Sequence, residues 1–203
     1  MNSKRMLLPA IVLATAVSVA ACSNGEEPSH DMSDMSSAPA SSGETAGQEQ
    51  DVNDADVVFA QMMIPHHAQA IEMADLILGK ADIRPEVTDL ALEIKEAQGP
   101  EISQLAQWLG EWGAEETAPE EMDHGPMDGM MSEEDMQALE SAQGAEAERL
   151  FLEQMIVHHE GAIEMAETQL EDGLHEPVHR MAQDIVDTQQ AEISTMEQLL
   201  ATT

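Results

Sequence analysis

The chain has 203 residues, with 41 acidic against 7 basic side chains, a formal net charge of −34, 2% aromatic residues, one cysteine and 16 methionines. So acidic a surface has no charge with which to hold nucleic-acid phosphates and repels anionic lipid head groups, whereas cations concentrate near it. With Cys22 alone there is no intrachain disulfide and no thiolate cluster, so a soft metal ligand has to be methionine.

In chain order, Lys4 and Arg5 precede an apolar stretch, Leu7 to Ala21, that is too short to span a bilayer as a stable helix. It ends in Val19-Ala20-Ala21-Cys22, which resembles a bacterial lipobox. The expectation is an export signal over residues 1–21, lipidation of Cys22, and anchoring to the cell envelope by that lipid alone. Residues 22–54 are rich in Ser, Gly, Glu, Ala and Pro and nearly free of large aliphatics, which predicts a disordered tether.

From residue 55 onwards the apolar spacing becomes helical. One helix is predicted over 55–79 and a second over 85–112, started by Arg84-Pro85. An acidic, Met-rich linker follows over 113–132, then a short helix over 133–141 with Ser132 as its N-cap. Residues 147–171 repeat the first helix at an offset of 92, and beyond Glu176-Pro177 the offset becomes 91, pairing Ile94 with Ile185 and Gln98 with Gln189. Two tandem hairpins cannot form a solenoid but can close on each other. The predicted fold is therefore all-α: a four-helix, ferritin-like bundle over 55–203, built from hairpin one (55–112), the linker (113–132) and hairpin two (133–203).

The repeat carries chemistry. Met63, His66, His67 and Met73 recur as Met155, His158, His159 and Met165, and at about 100° per residue each set falls within an arc of roughly 160° shared with Ala and Ile. Glu72 and Glu164 point the other way, so the duplicated face should look into the bundle. The facing helices present Ala91, Ile94, Gln98, Ile102, Leu105 and Leu109, matched by Ala182, Ile185, Gln189, Ile193, Met196 and Leu200, with Glu101 and Glu192 on the border. Four inward imidazoles are costly to bury without partners. Metal ligation by His and Met, with Gln98, Glu101, Gln189 and Glu192 as weaker or orienting groups, is favoured over a purely structural hydrogen-bond network.

In the linker, Met122, His124, Met127, Met130 and Met131 cluster with Asp, and thioether sulfur is a soft donor suited to Cu(I) and silver. His175 and His179 have helical i, i+4 spacing and read as a solvated pair rather than a metal clip. There is no nucleophile elbow, phosphate loop or HExxH helix, so no catalytic role is read.

The HHxxAIEMA helix followed by an AxxIxxxQxxEI helix, in tandem behind an export signal, resembles the bacterial extracytoplasmic family of domain of unknown function 305, the CopM type. The resemblance covers about residues 55–201. It implies copper binding and copper tolerance in the cell envelope, with Met63, His66, His67, Met73, Met155, His158, His159 and Met165 as implied site positions. Leu105 opposite Met196, and Trp108 without a counterpart near Gln198, depart from strict symmetry. The resulting expectation is a lipoprotein that buffers or hands on copper, Cu(I) first, with Cu(II), Ag(I) and Zn(II) as alternatives. A ferritin-like di-metal redox enzyme and a metal-free interaction module stand as the other readings, and no protein partner is read.

Overall fold

A computed structural model describes residues 51–116 and 129–202. Among them are five helices and no strand: α1 (Asp54–Leu78), α2 (Pro85–Trp112), α3 (Glu133–Ser141), α4 (Gly144–Asp172) and α5 (Glu176–Leu200). The all-α architecture is the one predicted, and α4 starts three residues ahead of the expected boundary. The signal, most of the tether and residues 117–128 lie outside the described residues.

Local chemistry sets the ends. Asn53 and Asp56 form a capping box at the start of α1, and Ser132 and Asp135 form another at α3. Pro85 sits in the first turn of α2, where its missing N–H costs nothing, and Gly113 ends that helix in the left-handed region at φ 69°. None of the described helices is long and apolar enough to cross a membrane.

α1 packs along α2, α4 packs along α5, and the hairpins join chiefly through α1 and α4, with α3 laid across both. The α2–α5 seam is the thinnest of the four. Two apolar clusters fill the interior. One gathers Met73, Ile77, Leu90, Ile94, Leu139, Phe151, Leu152 and Met155; the other gathers Phe59, Met63, Leu105, Leu109, Ala162, Val178 and Ile185. Along α1 and α4 the four histidines fall between these clusters.

Two buried carboxylates lock the hairpins together. Asp56, in the first turn of α1, accepts from Leu174 N (3.2 Å), His175 N (3.1 Å) and Gln169 Nε2 (2.5 Å) of hairpin two. Glu148, at the equivalent place in α4, accepts from Arg84 N and Arg84 Nε of hairpin one, both at 2.6 Å. Asp56 and Glu148 are 92 residues apart, the offset of the repeat. Each hairpin thus caps the turn of the other with a carboxylate that is at most 2% exposed.

Candidate metal site

His66, His67, His158 and His159 are all fully buried, as periodicity predicts. The rings of His66 and His158 meet across the α1–α4 contact with centroids 3.8 Å apart and planes tilted by 40°. His158 and His159 are 6.4 Å apart. Burial, reinforced by the neighbouring imidazoles of His66, His159 and His67, pushes the pKa of His158 down to about 2. It is therefore a neutral imidazole at any physiological pH, as a metal ligand has to be.

The second histidine of each pair reaches a carboxylate. His67 Nε2 lies 2.8 Å from Glu101 Oε2, and His159 Nε2 lies 2.7 Å from Glu192 Oε2. A carboxylate only accepts, so Nε2 is the donor in both pairs, and in the neutral ring that this tautomer describes Nδ1 keeps a lone pair. Both Nδ1 atoms are buried with no hydrogen-bond partner. An imidazole whose N–H is held by a carboxylate while its other nitrogen faces inward is the arrangement of a carboxylate-oriented metal ligand. Glu101 and Glu192 thus meet the histidines, rather than the glutamines that share their stripe. Gln98 and Gln189, 2% and 3% exposed, line a cavity of about 10 Å³ between α2 and α5 together with Ala97, Glu101, Ile185, Thr188 and Glu192. Neither amide atom of Gln98, nor Oε1 of Gln189, has a hydrogen-bond partner.

The methionines divide. Met63, Met73 and Met155 are fully buried, Met63 in one apolar cluster and Met73 and Met155 in the other. Met165 departs from the predicted inward face. It is half-buried and lines an apolar groove of about 350 Å³ with Ala55, Val58, Phe59 and Met62, between the start of α1 and the end of α4. The reason is coverage: α3 and its Leu139 close the end of the bundle that holds Met73, and no described helix closes the end that holds Met165. Among the described residues no three His, Asp or Glu side chains converge as a ready-made metal cage. A metal in this layer would need the thioethers or a shift of the rings.

Of the linker candidates, Met122, His124 and Met127 lie outside the described residues. Met130 is half-buried, and Met131 packs against the Met73 cluster with its backbone paired to the Gln69 side chain (Met131 N to Gln69 Oε1 2.7 Å, Gln69 Nε2 to Met131 O 2.9 Å). Just before it, Gly129 has φ 82° and passes so close to α4 that a Cβ would sit 2.8 Å from Val157 O and 2.9 Å from Gly161 Cα.

His175 and His179 are not the solvated pair the spacing suggests. His175 is 2% exposed and stands edge-on to Trp108 and Trp112, at 5.6 and 5.1 Å, and burial lowers its pKa. His179 bonds Gly173 O at 2.7 Å. Trp108 and Trp112, at the end of α2, cover His175, which no pattern within hairpin two reveals. The carboxylates Asp56 and Glu148 were also missed, because an acidic residue near the start of a helix reads as a charge on the helix dipole; their separation by the repeat offset was the available signal.

The profile of a domain of unknown function, DUF305, matches residues 56–200. Among solved structures, a DUF305 fragment from Deinococcus radiodurans is 37% identical, with 75% of this chain and 99% of that one covered and a TM-score of 0.68. A DUF305 protein from Streptomyces coelicolor is 32% identical over 73% and 91% of the two chains, with a TM-score of 0.68. CopM in its Cu(I)-bound form is 32% identical over 72% and 96%, with a TM-score of 0.61, and CopM has also been solved with Cu(II) and with silver. No curated protein matches the chain.

Proposed function

The chain belongs to the DUF305 family, and on that premise we propose that it is an exported protein that binds copper ions in its histidine layer. The observation that carries this is the duplicated pair His67–Glu101 and His159–Glu192, each leaving a buried Nδ1 lone pair with no other partner. Met63, Met73 and Met155 supply the soft donors nearby that Cu(I) prefers over harder ions. The metals solved in the similar CopM, Cu(I), Cu(II) and silver, fit the same donor set. In this reading copper is cargo, buffered or handed on, and Cu(I) is the favoured state. Lipidation of Cys22 would tether the bundle to the envelope, with the Met-rich linker as a weaker capture site. Two carboxylates already paired with imidazoles are too few for the carboxylate-rich cage of a di-iron enzyme, which makes a binding protein the better fit.

The test is Cu(I) titration against a chromogenic chelator, with thermal unfolding in parallel. The unaltered chain should bind Cu(I) and melt higher with it. The combined variant His66→Ala, His67→Ala, His158→Ala and His159→Ala should lose both effects. Unchanged affinity and stoichiometry in that variant would remove the histidine layer from the function, and a melting temperature indifferent to every metal tried would favour a metal-free helical module.

A further inference from the structure

A buried site needs a path to solvent, and the two faces of the histidine layer differ in what they offer. On the α1–α4 side the returning linker lies across the layer, with Gly129 against the backbone at Val157 and Gly161 and Met131 tied to Gln69. On the α2–α5 side the helices scarcely meet, and the cavity between them is lined by Gln98, Glu101, Gln189 and Glu192. Its volume, about 10 Å³, is that of one water or one bare ion. Glu101 and Glu192 have side chains 23% and 12% exposed, while the histidines they bond are 0% exposed. Each carboxylate therefore spans from solvent to the layer. Inside them, the buried amide of Gln98 has neither of its polar atoms hydrogen-bonded, and Oε1 of Gln189 is likewise unpaired. Burying amide groups without partners is costly, so packing alone does not account for them.

We infer that the α2–α5 seam is the port of the copper site, with Glu101 and Glu192 as the landing site for a cation and Gln98 and Gln189 as the oxygen donors that pass it inward. This rests on the copper reading of the histidine layer and adds the route to it. A cation reaching the seam meets two carboxylates first, exchanges water for amide oxygen next, and arrives at the carboxylate-bonded rings of His67 and His159. Because the same path serves both directions, narrowing it slows capture and release together and leaves the equilibrium unchanged.

The test loads the full chain with Cu(I) and follows release to excess bathocuproine disulfonate by stopped flow, with stoichiometry measured separately by titration. Ala97 and Thr188 line the seam without bonding any histidine, and both reach solvent. The plug variant A97L/T188L should release copper at least about tenfold more slowly at unchanged stoichiometry, while A68L, which adds a leucine on the exposed face of α1, should release at the normal rate. Normal release from the plug variant would overturn the port. As a second measurement, E101Q/E192Q should capture Cu(I) more slowly at low salt than E72Q/E164Q, which neutralises two exposed carboxylates on the outer faces of α1 and α4. Equal slowing by the two pairs would assign the effect to the field of the whole surface and overturn the landing site. If the unaltered chain retains no Cu(I), the functional reading falls and the port with it; retention with unaltered kinetics in every variant sinks the port alone.

Discussion

In hairpin one, His67 is held 2.8 Å from Glu101 and the methionine that follows, Met73, is fully buried. Hairpin two repeats the first contact at 2.7 Å between His159 and Glu192, but places Met165 on the wall of an open groove. The duplicated sequence is thus kept as duplicated geometry in the middle of the bundle and lost at its ends. The middle contains only helices that belong to the repeat, so equal residues find equal neighbours. The ends meet parts that exist once: α3 with Leu139 over Met73 at one, and Trp108 and Trp112 against His175 at the other. A repeated ligand motif therefore does not guarantee two equivalent sites, and the half of the motif nearer the end is the half that diverges.

The largest effects should come from the two reciprocal carboxylates, where the hairpins look alike in position and differ in partners. Removing Asp56 takes the acceptor from the buried N–H of His175 and the buried amide of Gln169, and from the part-buried N–H of Leu174. Asp56→Ala should cost about 4 kcal/mol in urea unfolding. Glu148→Ala should cost about 2 kcal/mol, because Arg84 is 30% exposed and also donates to Thr202 Oγ1 at 3.1 Å. Equal losses would show that the two latches are interchangeable. Next come the methionines: Met73→Ala empties a closed core and should cost about 3 kcal/mol, against about 1 kcal/mol for Met165→Ala, whose site is already open to water. The same pair read by Cu(I) affinity sharpens the comparison, since a larger loss in Met165→Ala than in Met73→Ala would move the soft donor from the core to the groove.

Much of the bundle was legible because its signals are local or repeated. Helical period, the caps at Ser132 and Pro85, and the offset of 92 depend only on neighbouring letters or on counting. The inward direction of the four histidines follows from the same period. What periodicity leaves open is which group on the opposing stripe a histidine meets. Gln98 sits at the centre of its stripe and Glu101 on the border, yet it is the carboxylate on the border that meets His67, while Gln98 lines the seam. Burial of His175 and exposure of Met165 were hidden for a different reason. Both are decided by pieces of chain far away in sequence, the end of α2 in one case and the position of α3 in the other.

The smallest predicted effect asks whether the central layer is as symmetric in protonation as in position. In the metal-free chain the pKa of His158 is held near 2 by burial and by the imidazoles of His66, His159 and His67, whereas an unfolded histidine takes its proton near 6.5. Below pH 6.5 the unfolded state binds a proton that the native state refuses, so stability is complete above that value and falls as the pH drops towards 2. The loss is about 1.4 kcal/mol for each pH step, or about 2 kcal/mol between pH 6.5 and 5. Urea unfolding at pH 7.5 and 5.0 should therefore show the unaltered chain losing about 2 kcal/mol more than His158→Leu, a difference that cancels the titration of the many surface carboxylates common to both. Equal losses would mean that the layer opens and protonates before the bundle unfolds. If His66→Leu removes as much of the acid sensitivity as His158→Leu, the two tilted rings, 3.8 Å apart, resist a single shared proton, and the symmetry of the repeat extends to the chemistry at its centre.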